Sequence, residues 1–151
     1  MRQEGTGPLI IRRFRPSDMQ EVMDLDREVK GGYDVNIFAT FYEYHPQTVL
    51  VAEVSGKVAG SILGFMHSPL QGRIFWLAVR PRFQGQEIGR RLMATLIRNF
   101  RRMGALSATL EVRISNRRAQ ALYASMGFAP MTISPAYYSD GEAALIMTRQ
   151  L

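Results

Sequence analysis

Residues 72 to 103 constrain this chain more than any other stretch. Gly72 to Val79 (GRIFWLAV) reads as a buried central strand. A polar, Gly-containing loop follows Pro81. Then Ile88, Leu92, Met93, Leu96, Ile97, Phe100 and Met103 recur at three- and four-residue spacing. That spacing predicts an amphipathic helix, with Arg90, Arg91, Arg98, Arg101 and Arg102 on its outer face. Gly104 is placed to end it. A helix entered from a buried strand must lie against the sheet, so a layered α/β arrangement is implied.

The flanking sequence supplies the other layers. Leu9 to Phe14 reads as a first strand. Ser17 and Gln20 fit a capping box that opens a helix with Met19, Val22, Met23 and Val29 on one stripe. Gly31-Gly32 ends it. Val35 to Tyr44 reads as a second short helix, closed by His45-Pro46. Thr48 to Val54 and Val58 to Met66, joined at Ser55-Gly56-Lys57, predict a hairpin. Ser107 to Ile114 is a strand, Asn116 caps a short helix ending at Gly127, and Phe128 to Ile133 and Ala143 to Arg149 form a closing strand pair. The order β-α-α-β-β-β-α-β-α-β-β predicts a mixed α/β sheet with helices on its faces. The expected unit is one domain over residues 1–151, with residues 1–8 a flexible N-terminus.

Composition removes whole classes of chemistry. The 151 residues contain no cysteine, hence no disulfide, thiolate metal site or cysteine nucleophile. The two histidines, His45 and His67, have no ligand spacing, and no metal is expected. No uncharged apolar run is long enough to span a membrane, and no signal core opens the chain. A cytoplasmic protein is expected. The net charge is +6, with 17 arginines against two lysines. Eight acids and two bases lie between Asp18 and Glu53, whereas eleven arginines and two acids lie between Arg73 and Arg118. Such a basic stretch suits a polyanion: a nucleic acid, a multiply phosphorylated small molecule, or simply water over a helix face. The aromatic residues do not interleave with the arginines as a stacking platform, which argues against nucleic acid.

Two segments carry possible chemistry. Val79 to Leu92 (VRPRFQGQEIGRRL) leads from strand through a glycine loop into a helix. The first-turn N–H groups of such a helix lack internal partners and, with the helix dipole, form an anion site. It is neither a P-loop nor a dinucleotide fingerprint. In Leu110 to Phe128 (LEVRISNRRAQALYASMGF), Glu111 lies on a strand and Tyr123 on the next helix, a possible base and acid pair. A surface glutamate and a core tyrosine are the plainer alternatives.

Gln84 to Gly89, preceded by Val79 and Pro81 and followed by Arg90-Arg91-Leu92, resembles the acetyl-CoA signature of the GCN5-related N-acetyltransferases. LEVRISN, ALYASMGF and the late segment Tyr137 to Met147 are similar to the subgroup that acetylates protein N-termini, including the ribosomal-protein alanine acetyltransferases. The resemblance implies a predominantly antiparallel sheet of six or seven strands, a splayed central pair and about four helices. It implies acetyl-CoA as cofactor. Backbone at Leu77, Ala78 and Val79 would orient the thioester, and Gln84, Gly85, Gln86, Glu87, Ile88, Gly89 and Arg90 would hold the pyrophosphate. Asn116 would fix the pantetheine arm. Glu111 would act as general base through water, and Tyr123 would protonate the leaving thiolate. Tyr137 and Tyr138 would close over the peptide, while Glu28, Tyr33 and Asp34 could attract its cationic end. The implied partner is a protein or peptide N-terminus, for instance of a ribosomal protein, met by a monomer or homodimer. A small amine, a lysine side chain, or a non-catalytic binding module are the other readings.

One position departs from that signature: Glu87 stands where the motif carries glycine. A carboxylate about 5 Å from a phosphate costs roughly 3 kcal/mol at an effective dielectric near 20. Pairing with Arg90 or Arg91, one helical turn on, would relieve this. Cofactor binding is expected to be weakened but retained.

Overall fold

The computed structural model describes residues 7–29 and 35–151. The elements are β1 (Leu9–Arg13), α1 (Met19–Glu28), α2 (Val35–Tyr44), β2 (Val49–Val54), β3 (Lys57–Ser68), β4 (Gln71–Val79), α3 (Ile88–Arg102), β5 (Ser107–Arg113), α4 (Arg117–Ser125), β6 (Ala129–Ser134) and β7 (Ala144–Gln150). The seven strands lie in the order β1-β2-β3-β4-β5-β7-β6. Every neighbouring pair is antiparallel except β4 and β5. No helix among the described residues is long and apolar enough to cross a membrane.

The sheet buries both faces. On one, Leu92, Met93, Leu96 and Phe100 of α3 pack with Leu50, Ile62, Ile74 and Leu110. On the other, Val22 and Leu25 of α1 and Phe38 of α2 pack with Phe14, Val49, Val51 and Leu63. The alternation Val49/Leu50/Val51/Ala52 between the two cores is the two-residue period of a strand. Glycine sets how near α3 lies: a Cβ on Gly72 would stand 2.6 Å from the Phe100 ring.

The expected start of α1 is corrected. Ser17 sits inside a 3-10 turn (Pro16–Asp18) and no side chain caps α1; the Asp18 carboxylate accepts the Arg15 N–H at the head of that turn, at 2.7 Å. The same carboxylate takes both terminal nitrogens of Arg12 at 2.8 Å. This charge-assisted, bidentate pair anchors the turn that leads into α1. Asn116 does cap α4, its Oδ1 accepting the Ala119 N–H at 3.1 Å.

Two irregularities in β4 make the site. Its parallel pairing with β5 ends at Ile74–Leu110, although β4 runs on to Val79 and β5 to Arg113. The strands therefore part. In the same place the register with β3 shifts, Leu63 facing Trp76 and Gly64 facing Ile74, which leaves Phe75 as a bulge. The bulge resets the alternation. Phe75 and Trp76 both pack towards the α1/α2 core, and Leu77 and Val79 return to the α3 side.

Candidate active site

The loop before α3 turns on two left-handed residues, Gly85 (φ 85°) and Glu87 (φ 64°). A Cβ on Gly85 would meet nothing within 4 Å, so the backbone there is open to a ligand. Gln84 is held from both ends: its amide donates to the Val79 carbonyl at 3.2 Å, and its Oε1 accepts from Arg118 at 2.9 Å. Arg90 bridges Glu87 (2.8 Å) and the Ser125 hydroxyl (2.8 Å). The Glu87 side chain is 67% exposed and turned to Arg90, the pairing expected for a tolerable carboxylate at this position.

Two cavities meet where β4 and β5 part. The first, about 370 Å³, is lined by the loop before α3 together with Leu77, Ala78, Val79, Ile88, Asn116 and Tyr123. The second, about 510 Å³, is lined by Phe75, Trp76, Glu111, Arg113 and Tyr138 among others. They share Leu77, Ala78, Val79, Gln84, Asn116 and Tyr123. A group reaching the strand gap from the first cavity can thus meet a group from the second.

Burial pushes the Tyr123 phenol up to about 12, with nearby Tyr138 adding to the shift. Glu111 is ion-paired to Arg73 at 2.8 Å, its side chain 13% exposed. From the β6–β7 connection, Tyr138 lines the second cavity. The Arg113 guanidinium lies 4.1 Å from the Tyr138 ring centroid and bonds Asp140 and Glu142, both at 2.9 Å. Glu142 also accepts the Ser115 N–H at 2.9 Å. Tyr137 packs edge-on against Tyr138 and its hydroxyl accepts from Arg73 at 3.1 Å.

The family model for the acetyltransferase (GNAT) family matches residues 18–128. The chain belongs to the GNAT acetyltransferase family. An uncharacterised N-acetyltransferase of Methanocaldococcus jannaschii is 35% identical over 94% of this chain and 92% of its own length. A putative [ribosomal protein bS18]-alanine N-acetyltransferase of Bacillus subtilis is 30% identical over 91% of this chain and 92% of its own. The crystal structure of Ard1 from Thermoplasma volcanium superposes with a TM-score of 0.91 at 31% identity, covering 95% of this chain and 97% of that one. The GNAT chain is an acetyltransferase, and its cofactor is acetyl-CoA. The residues fit that cofactor. The first-turn N–H groups of α3 and the unobstructed Gly85 suit a pyrophosphate, and beyond Ile74 the β4 strand stays paired to β3 while its β5-facing edge has no strand partner.

Most residues singled out from sequence line this GNAT cleft. Gln86 lines neither cavity. Tyr137 lines neither cavity and packs against Tyr138, its hydroxyl accepting from Arg73. Glu28 is not free for a cationic substrate: its carboxylate pairs with Arg80 at 2.8 Å. Tyr33 and Asp34 lie outside the described residues. Several other carboxylates of the early acidic stretch also have partners within the fold, although Glu28 and Glu43 are exposed. Asp18 and Glu53 hold Arg12, Glu21 accepts the Val58 N–H, and Asp24 pairs with Arg27. Sequence reading missed Arg73, though a lone charge inside GRIFWLAV was a visible signal. It also missed Arg113, whose partners are 27 and 29 residues away.

Proposed function

We propose that this GNAT enzyme acetylates the α-amine of a protein or peptide N-terminus by direct attack, with Glu111 and Tyr123 as base and acid. One observation carries the reading: a carboxylate, Glu111, and a buried phenol, Tyr123, both line the second cavity, the phenol where that cavity meets the first. Acetyl-CoA, when bound, supplies an activated thioester carbonyl and a thiolate leaving group. Backbone N–H groups from Gln84 to Arg90 hold its pyrophosphate, with Asn116 beside the pantetheine arm and Leu77 and Val79 aligning the thioester. Glu111 receives the proton of the attacking amine through a water. The Tyr123 hydroxyl gives its proton to the sulfur, so the products are the N-acetyl amide and coenzyme A. No side-chain nucleophile is needed, in keeping with a chain that has no cysteine.

The α-amine suits this machinery energetically. Neutralising it at pH 7 costs about 1 kcal/mol, against about 4.6 kcal/mol for a lysine side chain. A carboxylate shared with Arg73 is adequate for the smaller task, and positioning supplies the rest. The name of the Bacillus relative makes an alanine-initiated ribosomal-protein terminus the first acceptor to try. The test is acetyl transfer to short peptides with free and blocked N-termini, with the modified site read by mass spectrometry. Transfer only to free termini is expected; activity that survives the block would sink the proposal.

A further inference from the structure

Arg73 is the last side chain on its face of β4 before the strands part. It pairs with Thr109 in the parallel ladder, and Glu111 lies two residues further along β5, on the same face. From there one terminal nitrogen, Nη2, reaches two groups: Glu111 Oε1 at 2.8 Å and the Tyr137 hydroxyl at 3.1 Å. The only charged residue of its strand, Arg73 joins Glu111 to the β6–β7 connection, whose Tyr138 lines the second cavity.

We propose that Arg73 is a positioning residue for the acetyl transfer: it fixes the Glu111 carboxylate and ties it to the β6–β7 connection through Tyr137. The inference rests on the proposed role of Glu111 as base. Arg73 occupies one carboxylate oxygen and leaves Oε2 for the water that relays the amine proton. It forms and breaks no bond. Closure of that connection on an acceptor and orientation of the base are thereby coupled through a single guanidinium.

The experiment follows thiol release from acetyl-CoA with a peptide that has an alanine N-terminus and one internal lysine, used free and N-terminally blocked. Wild type is compared with Arg73→Met, Arg73→Lys and Tyr137→Phe. Arg73→Met is expected to lower kcat by about 10- to 100-fold, the cost of a misplaced catalytic group, with KM for acetyl-CoA unchanged. Arg73→Lys keeps a cation able to reach Glu111 and should recover part of the loss. Tyr137→Phe removes one hydrogen bond and should lower kcat by about 2- to 10-fold. Wild-type kcat in Arg73→Met, equal rates for the Met and Lys variants, or a loss shared with acetyl-CoA KM would each overturn the proposal. Turnover of the blocked peptide would overturn the α-amine reading alone, and the Arg73 effect would then be read on the lysine amine. With turnover on neither peptide, hydrogen exchange at the Tyr138 and Gly141 amides decides. Faster exchange in Arg73→Met and Tyr137→Phe than in wild type supports the tie, and unchanged exchange overturns it.

Discussion

Glu87 holds a left-handed backbone (φ 64°) at the motif position where its family carries glycine. That conformation costs a side-chain-bearing residue about 1–2 kcal/mol, and its exposed pairing with Arg90 returns at most about 1 kcal/mol. Glu87→Gly should therefore leave thermal stability equal or slightly higher. It should also tighten acetyl-CoA binding, because a carboxylate leaves the neighbourhood of the phosphates; a melting curve reads the first change and calorimetric titration the second. An unchanged Kd would mean that the carboxylate lies clear of them. Tyr123 gives a second residue-scale prediction. Its phenol is raised from 10 to about 12 in the folded protein, so stability is fully present below pH 10 and is lost as pH climbs towards 12. At 1.36 kcal/mol per unit, the loss is about 2–3 kcal/mol. Urea titrations at pH 9 and 11.5 should show that slope in wild type and a shallower one in Tyr123→Phe. The variant should also lose kcat while still binding cofactor.

At the scale of elements, α3 is placed by what the sheet lacks. Gly64 and Gly72 leave room for Leu96 and Phe100, and a Cβ at either would stand under 3.0 Å from those side chains. Gly72→Ala should destabilise by about 1–3 kcal/mol through overpacking, measured as a lower urea midpoint. Because α3 also presents the cofactor loop, affinity for coenzyme A should weaken in parallel. The Arg12–Asp18–Glu53 cluster does the equivalent work on the other face, joining β1 and β2 to α1. Burial opposes the Asp18 charge, yet bonds from Arg12 and the Arg15 N–H outweigh it and hold its carboxyl below the usual range. Its contribution is present above the ordinary carboxylate pKa and is lost as pH falls through the lowered one. Asp18→Asn, which leaves Arg12 short of a buried partner, is expected to cost about 3–5 kcal/mol and to flatten the acid limb of the stability profile.

For the whole molecule, the cleft joins elements that are distant in the chain: the loop before α3, the open stretch of β4, and α4. A ligand contacting all three binds only the folded state. Coenzyme A at about 100 times its Kd should add about 2.7 kcal/mol of stability, visible as a rise in Tm. This wider assembly was only partly legible in sequence. The strand–loop–helix from Gly72 to Met103, the Asn116 cap and the base and acid candidates could be read because each depends on local periodicity or on a motif within about twenty residues. The acidic segment from Asp18 to Glu53 misled, because counting charges cannot show that Arg12, Arg80 and the Val58 N–H already hold several of its carboxylates. Arg113 was overlooked because its partners, Asp140 and Glu142, are brought to it only by the β5–β7 pairing.

By itself, then, the sequence determined the order of elements, the apolar faces that bury them, and a helix start whose free N–H groups suit an anion, since all three follow from side-chain period and backbone N–H chemistry. Tertiary structure decided that β4 and β5 part beyond Ile74 and Leu110, that a bulge at Phe75 returns Leu77 and Val79 to the α3 side, and that one guanidinium holds both Glu111 and Tyr137. The physical reason is that register and ion pairing between strands depend on contacts between residues far apart in the chain, which no local pattern encodes.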